Sequence, residues 1–299
     1  MPFASPQPVQ VYSGFDYVTV DEQRRRVYAA HTASRALTIV DADTGQVIAQ
    51  VRVGETPHGV AVDPASGHVY VGAGPSVVEV DPQAQKIVRT VTVDAPVDAV
   101  AYDPGNGHIY ADEDDGTRLF AIDAHAFQVW KTITLPGHKP EYLAVDPTTH
   151  AVYQNIDNLG EFVIVDGTAG HVAQVVPTPE LAHNHPLQFD PGYRQVIVAG
   201  SNGTLSVYDA TGKRLGSTPV PEHIDQCSID TATHLMACAG GGKLTVVLDR
   251  QGQPPSVVDQ IDVPPGTHTV GADAKTGRFW IVWAGKDGDF VQGFAERSP

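Results

Sequence analysis

The sequence has few positive charges, few sulfur-containing residues and no long apolar runs. Lysine and arginine together number 19 against 35 aspartates and glutamates, which gives a formal net charge of −16 at pH 7. No stretch of 18 apolar residues occurs, so no segment is a candidate transmembrane helix. The 3.6-residue apolar period of an amphipathic helix is also missing. We therefore expect neither membrane insertion nor a large helical domain.

The scarcity of positive charge also bears on the partners of this protein. The one basic run, Arg24-Arg25-Arg26, falls at a predicted turn. Nucleic acids and anionic membrane surfaces are bound by clusters of lysine and arginine, which the rest of the chain lacks. We therefore expect no nucleic-acid partner. An acidic surface suits cations or a small-molecule ligand or substrate, and we expect the protein to be a monomer.

Cysteine is nearly absent. The two cysteines, Cys227 and Cys238, fall on neighbouring predicted strands of one repeat. We interpret them as two small buried residues, with a disulfide closing a short loop as the alternative. Cysteine content therefore does not indicate a cellular compartment.

Turn residues are abundant, with 29 glycines and 23 prolines, and one pattern recurs between them. A short apolar strand ends in Asp-Pro, and a second strand follows after a turn. The clearest copies are Gly59-Val60-Ala61-Val62-Asp63-Pro64, Ala99-Val100-Ala101-Tyr102-Asp103-Pro104 and Tyr142-Leu143-Ala144-Val145-Asp146-Pro147. Weaker copies begin at Tyr17, Pro186, Gln226 and Thr269. The pattern therefore indicates seven repeats.

One polar residue precedes or opens each first strand. In chain order these residues are Asp16, His58, Asp98, Glu141, His185, Asp225 and His268. They are separated by 40 to 44 residues. A period of this size, with four short strands in each repeat, is typical of β-propeller blades. We predict an all-β fold: a single seven-bladed propeller domain over residues 1–299 with four-stranded antiparallel blades.

The last repeat has room for three strands only. The segment Pro8-Val9-Gln10-Val11-Tyr12 precedes the first repeat and matches the pattern of fourth strands elsewhere in the chain. We therefore predict that the N-terminus supplies the outer strand of the last blade and closes the ring, which protects the edges of that blade.

The repeats resemble the YVTN-type propeller repeats of bacterial proteins such as the YncE-like group. The resemblance rests on Gly59-Val60-Ala61-Val62-Asp63-Pro64 with His68-Val69-Tyr70-Val71, and on Leu37-Thr38-Ile39-Val40-Asp41 with Thr44-Gly45. It implies a propeller over nearly the whole chain and assigns no activity. Members of this group are often exported, so we expect a periplasmic or secreted protein. The N-terminus has no basic or apolar leader pattern, which keeps a cytoplasmic location as the alternative.

The first strands of a propeller line its central channel, so the seven polar residues should meet around one axis. We call them the mouth ring. Its imidazoles, His58, His185 and His268, lie on blades two, five and seven, as evenly distributed as seven blades allow. Three imidazoles with an open coordination position suit Zn(II), Fe(II) or Cu(II) better than Ca(II). We predict that they bind one such metal, with a solvated polar channel as the alternative.

The four acids of the mouth ring have two candidate roles. Asp16 and Asp225 are predicted to orient imidazoles by accepting their hydrogen bonds. Glu141 or Asp98 is predicted to act as a general base on a metal-bound water or on the substrate.

Two further histidines are candidate pocket residues. His183 stands two residues before the mouth ring in the fifth repeat, and His31 follows the second strand of the first repeat. Both are predicted to face the channel mouth.

Two functions are consistent with this pattern. The first is a metal-dependent enzyme that acts on a small molecule by hydrolase-like, lyase-like or non-haem oxidative chemistry. The second is a non-catalytic propeller that serves as a binding or interaction scaffold.

Overall fold

The computed structural model describes residues 14–295 and the two-residue strand β1 (Pro2–Phe3). These residues form seven sheets, each of four antiparallel strands. The predicted fold class, an all-β seven-bladed propeller with four-stranded blades, is therefore confirmed. Two short 3-10 helices, Thr32–Ser34 and Asp157–Leu159, follow the second strands of blades 1 and 4. Within the described residues, no helix has the length and apolar character needed to cross a membrane.

The strands of each blade follow one another in the chain, from the channel to the outer edge of the propeller. Blade 1 contains β2 (Val18–Asp21), β3 (Arg26–His31), β4 (Ala36–Asp41) and β5 (Val47–Arg52). Blade 2 contains β6 (Pro57–Val62), β7 (Val69–Ala73), β8 (Ser76–Asp81) and β9 (Lys86–Thr92). Blade 3 contains β10 (Val97–Asp103), β11 (His108–Glu113), β12 (Arg118–Asp123) and β13 (Gln128–Thr134).

The remaining blades repeat this order. Blade 4 contains β14 (Pro140–Asp146), β15 (Ala151–Ile156), β16 (Glu161–Asp166) and β17 (His171–Pro177). Blade 5 contains β18 (Asn184–Asp190), β19 (Gln195–Gly200), β20 (Thr204–Asp209) and β21 (Arg214–Pro219). Blade 6 contains β22 (Ile224–Asp230), β23 (Leu235–Gly240), β24 (Lys243–Leu248) and β25 (Ser256–Asp262). Blade 7 contains β26 (Thr269–Asp273), β27 (Arg278–Gly285), β28 (Gly288–Ala295) and, from the N-terminus, β1.

The ring closes between blades 7 and 1. The first strand of blade 7, β26, packs beside the first strand of blade 1, β2. The N-terminal strand β1 pairs antiparallel with β28, with Pro2 opposite Phe290 and Phe3 opposite Asp289. Closure of the last blade by an N-terminal strand is thus confirmed. The predicted segment Pro8–Tyr12 lies outside the described residues.

The hydrophobic core lies between adjacent blades. The second strands are buried over most of their length, and β7 is buried throughout, because both faces pack against neighbouring blades. The fourth strands, such as β9, are largely exposed at the outer edge of the propeller. Across the interface between blades 4 and 5, the ring of Phe162 meets that of Tyr208 edge-on at 5.2 Å. Such an aromatic pair contributes about 0.5–1.5 kcal/mol beyond its buried area.

The Asp-Pro turns follow from the hydrogen bonds of the aspartate side chain. Oδ1 of Asp63 accepts the backbone N–H of Ala65 at 2.9 Å, which stabilises the turn between β6 and β7. The turn needs a left-handed residue just before the second strand; Gly67 fills this position in blade 2, with φ of 79°. In blade 4 the equivalent residue is His150, with φ of 62°.

Side chains at this left-handed position join neighbouring blades. His150 and His234 reach the aspartates that end the first strands of the preceding blades, Asp103 and Asp190, with Nδ1–Oδ2 distances of 2.9 and 2.6 Å. Both aspartates are fully buried. The hydrogen bond from each histidine therefore replaces hydrogen bonds that the carboxylate makes with water in the unfolded chain. We call these contacts interblade latches.

Arginine forms the same latch at two other interfaces. Arg194 contacts Asp146 at 2.7 Å, and Arg25 contacts Asp273 at 2.7 Å across the closure between blades 7 and 1. The neighbours of Arg25 in the basic run are also paired, Arg24 with Asp21 and Arg26 with Asp41. The one basic run of the sequence is therefore engaged by carboxylates.

Cys227 and Cys238 form a disulfide between β22 and β23. The interpretation of these residues as an unlinked buried pair is wrong. The two cysteines stand directly opposite each other in the strand pairing, with Cα atoms 4.0 Å apart, which places both sulfurs between the same two strands.

Candidate functional site

Local irregularities direct the mouth ring toward the channel. The pairing of first and second strands shifts register at the start of the first strand in blades 2 to 6. In blade 3, for example, the shift lies between Val97 and Val100 and includes Asp98. A bulge of this kind turns a side chain away from the regular alternation of the strand. Every side chain of the mouth ring remains partly or largely buried.

The structure divides the mouth ring into two groups. The first group contains Asp16, His58 and Asp98, from blades 1 to 3. Nδ1 of His58 lies 2.6 Å from Oδ2 of Asp16 and 3.7 Å from Oδ1 of Asp98. The amide of Gln226 donates to Oδ1 of Asp16 at 2.9 Å, and the hydroxyl of Tyr17 donates to Oδ2 of Asp98 at 3.3 Å.

The second group contains the other two imidazoles and the acid between them. Nε2 of His185 lies 2.5 Å from Oδ1 of Asp225, and Nδ1 of His268 contacts the other oxygen of the same carboxylate. His185 also approaches Oε2 of Glu141 at 3.5 Å. Asp225 thus links blades 5, 6 and 7 at the mouth.

The three imidazoles predicted to bind one metal are divided between these two groups. Among the described residues, the clusters with three potential ligand atoms within 4.8 Å of one another do not include His58, His185 and His268 together. The physical reason is the spacing of the imidazoles around the ring. An imidazole has a carboxylate of a neighbouring blade within hydrogen-bonding distance, whereas the next imidazole is two or three blades away.

The charges of the second group follow from this pairing. Burial by itself lowers the pKa of His185, but the hydrogen bond and negative charge of Asp225 outweigh it and raise the pKa to about 9. Burial by itself raises the pKa of Asp225, but the hydrogen bonds from His185 and His268 lower it below its usual range. At neutral pH this group therefore contains an imidazolium paired with a carboxylate.

The pKa values of the two acids predicted to be general bases, Asp98 and Glu141, are raised, in contrast to that of Asp225. Burial, together with the negative charges of Asp16, Asp112 and Glu141, raises the pKa of Asp98 well above its usual range. Burial also raises the pKa of Glu141, although His185 and Lys139 oppose the shift. A carboxylate with a raised pKa is a stronger base, so the electrostatics are compatible with that role.

His183, the candidate pocket residue of blade 5, lines the pocket at the channel mouth. Its side chain is 70% exposed, and Nδ1 lies 3.0 Å from Oδ1 of Asp157. His31 does not face the mouth. It is fully buried between blades 1 and 7, where Nε2 lies 3.2 Å from Oδ2 of Asp289 and its ring stacks on Phe15. Side chains of β3 alternate between the two faces of blade 1, and His31 lies on the face that packs against blade 7.

The repeat pattern did not single out Lys139 and His223, which also line this pocket. Lys139 lies 3.1 Å from Glu141 and 3.5 Å from Asp157. A positional signal exists: Lys139, His183 and His223 each stand two residues before the mouth ring, and all three have left-handed backbone with φ of 51–59°. We call these three the rim residues.

The mouth opens into a pocket on the side of blades 4 to 7. Its volume is about 690 Å³, and its walls include the three rim residues together with His185, Asp225 and His268. Below the ring, Tyr17 and Tyr142 meet across the axis with ring centroids 5.1 Å apart. Burial raises the pKa of Tyr142 to about 12, so its hydroxyl is neutral and donates to the carbonyl of Cys227 at 3.3 Å. This tyrosine pair lies at the floor of the mouth.

Comparison with known proteins places the chain in the class of seven-bladed β-propellers. The chain is similar to a chain of Kuenenia stuttgartiensis hydrazine synthase, with a TM-score of 0.82 and 14% identity over 98% of this chain and 97% of that one. It is similar to a chain of the mitotic checkpoint complex, with a TM-score of 0.82 and 13% identity over 100% and 91%. It is also similar to U3-55K, with a TM-score of 0.81 and 8% identity over 93% and 92%.

At these identities the likeness concerns the fold alone. Neither a family model nor a curated protein matches the sequence. The resemblance to YVTN-type and YncE-like repeats therefore stays a prediction.

Proposed function

We propose that this protein is a non-catalytic binding protein whose channel mouth recognises a partner protein. The observation that carries the proposal is the pairing of each mouth-ring imidazole with a carboxylate. Paired groups form a preorganised polar surface, whereas a three-histidine catalytic metal site needs imidazoles that converge on one point.

The shape of the mouth supports the same proposal. The rim residues Lys139 and His183 expose 46% and 70% of their side chains above the pocket. Exposed polar groups at a rim contribute chiefly to the rate and specificity of association, while the enclosed part of a pocket contributes affinity. Because the formal net charge is −16, we expect a partner of net positive charge whose association slows as salt is added.

The similar structures are consistent with a binding role. One of them is a component of the mitotic checkpoint complex, an assembly of several proteins. Another consists of the WD40 repeats of RRP9, with a TM-score of 0.81 and 9% identity. Propellers are large, rigid discs, and fold likeness by itself assigns no partner to this chain.

A pair of matched variants tests the proposal. The rim variant is Lys139→Gly/His183→Gly/His223→Gly, in which glycine retains the left-handed backbone. The control is Gln23→Ala/Lys275→Ala, two exposed residues beside the pocket on the opposite face. Immobilised wild type, rim variant and control are exposed to lysate of the organism that produces the protein, and bound proteins are quantified by mass spectrometry.

We expect a defined protein that is retained by wild type and control and is depleted at least tenfold on the rim variant. Binding is then repeated with the purified partner. Equal retention by all three proteins would place recognition elsewhere and overturn the proposal.

A metal-dependent enzyme is the second candidate, because the pKa values of Asp98 and Glu141 are both raised. The test is turnover of small lactone and ester substrates with and without added Zn(II). A metal-dependent rate that disappears in both Asp98→Asn and Glu141→Gln would favour the enzyme over the binding protein.

A further inference from the structure

We propose that Asp16, His58 and Asp98 form a binding site for one divalent metal ion on the side of the mouth built by blades 1 to 3. Each residue places one potential ligand atom within 4.8 Å of those of the other two. Such separations allow a single ion to lie about 2.0–2.6 Å from each atom. The site does not depend on partner binding, and it differs from the three-histidine set predicted from the sequence.

The hydrogen bonds around the acids direct one oxygen of each toward a common point. Oδ2 of Asp16 and Oδ1 of Asp98 both face Nδ1 of His58, at 2.6 and 3.7 Å. Their other oxygens accept hydrogen bonds from neutral donors, the amide of Gln226 and the hydroxyl of Tyr17. Neutral donors that orient ligating carboxylates without neutralising them are a regular feature of protein metal sites.

The two acids of this site have little positive charge around them. In the part of the chain that the structure describes, His58 is the only residue that forms an ion pair with Asp16 or Asp98. A divalent cation would supply the missing charge.

The other half of the mouth offers an internal comparison. Glu141, Asp157 and His185 also place one potential ligand atom each within 4.8 Å of one another. There the ammonium of Lys139 lies 3.1 Å from Glu141 and 3.5 Å from Asp157, so the protein itself provides the cation. Blades 1 to 3 have a similar set of acids and an imidazole, and no described lysine contacts it. This difference points to a cation from solution at Asp16, His58 and Asp98.

The donor set indicates the class of ion. Two carboxylate oxygens and one imidazole nitrogen suit Zn(II) or Mn(II), whereas Ca(II) and Mg(II) prefer oxygen ligands alone. The side chains are 16–30% exposed, which leaves an open side for water or for a group of a bound molecule. We therefore expect an exchangeable ion.

Metal binding to the untagged protein tests the proposal. Isothermal titration with ZnCl₂ and with MnCl₂, checked by elemental analysis after dialysis, measures stoichiometry and affinity. The test variants are Asp98→Asn and His58→Gln, and the control is Asp157→Asn in the half of the mouth that contains Lys139. Near-ultraviolet circular dichroism confirms that each variant is folded. Absorption spectra with Co(II) report ligand geometry independently of affinity.

We expect one equivalent of Zn(II) or Mn(II) on wild type and on Asp157→Asn. Each test variant should weaken binding at least tenfold, and Gln226→Met should weaken it about tenfold through the orientation of Asp16. Absence of stoichiometric binding to wild type would overturn the proposal. Binding that is unchanged in folded Asp98→Asn and His58→Gln would also overturn it, as would loss of binding in Asp157→Asn alone.

Discussion

Nε2 of His185 lies 2.5 Å from Oδ1 of Asp225, and this contact joins blades 5 and 6 at the channel mouth. The second oxygen of Asp225 contacts His268, so one carboxylate serves two imidazoles. The pair is largely removed from solvent, and its energy therefore depends on the protonation state of His185. It provides a direct link between pH and the stability of the propeller.

Stability should fall in alkaline solution through this contact. The pKa of His185 is about 9 in the folded protein against 6.5 for an unperturbed histidine. A raised folded-state pKa contributes stability that is complete below pH 6.5 and is lost as the pH rises through 9. After a discount for partial exposure of the side chain, the loss in free energy of unfolding should be roughly 2 kcal/mol.

Urea denaturation at several pH values from about 6 to about 10 measures this loss. The difference between wild type and Asp225→Asn isolates the contact from the titration of other groups. His125→Gln, at an exposed turn, should retain the wild-type dependence. An identical alkaline loss in Asp225→Asn would show that the contact is not responsible.

The interblade latch between His150 and Asp103 should stabilise the ring. His150→Ala removes the hydrogen bond at 2.9 Å and leaves the fully buried Asp103 without this partner, which should cost about 1–3 kcal/mol. His150→Gly should cost about 1 kcal/mol less, because glycine adopts the positive φ at this position without strain. The melting temperature should be highest for wild type, lower for His150→Gly and lowest for His150→Ala. Exposed His171→Ala serves as the control, and equal melting temperatures for all four proteins would argue against a latch.

Reduction of the disulfide should weaken blade 6. The bond between Cys227 and Cys238 closes a loop with a sequence separation of 11 residues. For a loop of this size, the constraint on the unfolded chain is worth about 2–3 kcal/mol in the loop-entropy treatment. The melting temperature of wild type should therefore decrease with a reductant, whereas that of Cys227→Ala/Cys238→Ala should not respond. A reductant effect of equal size on both proteins would have another origin.

Removal of the N-terminal strand should destabilise the last blade. Deletion of residues 1–13 removes β1 and exposes the edge of β28, so the melting temperature should drop sharply. Deletion of residues 1–5 removes β1 but retains the segment Pro8–Tyr12. A large effect of both deletions supports closure by Pro2–Phe3, whereas an effect of the longer deletion alone would support closure by Pro8–Tyr12, as the sequence pattern predicts. Deletion of residues 297–299 provides the control for chain shortening.

Much of the fold could be predicted because a propeller is a sum of similar local units. The Asp-Pro turn at Asp63 depends on bonds between residues two apart, and its copies recur at intervals of 40 to 44 residues. The three-strand length of the last repeat likewise required an outer strand from elsewhere. Such features depend on contacts between residues close in sequence and on the number of strands in each repeat, and both can be read from the sequence.

The candidate site could be predicted only in part. The recurrence of polar residues at the starts of first strands located the mouth ring, and the ring position of each blade followed from the repeat. His31 shows the limit of this reasoning. Its place after a second strand resembled a mouth position, but the alternation of β3 turns it toward Asp289 in the blade interface.

The sequence by itself determined the number of blades, the composition of the ring and the excess of acid. Only the tertiary structure decided which ring residues contact each other. Those contacts depend on the width of the channel, on the bulges that turn Asp98 and its counterparts, and on Lys139, which lies within reach of Glu141 and not of Asp98. Hydrogen bonds act over about 3 Å and Coulomb energies fall with distance, so the chemistry of the mouth was decided by distances that no repeat pattern contains.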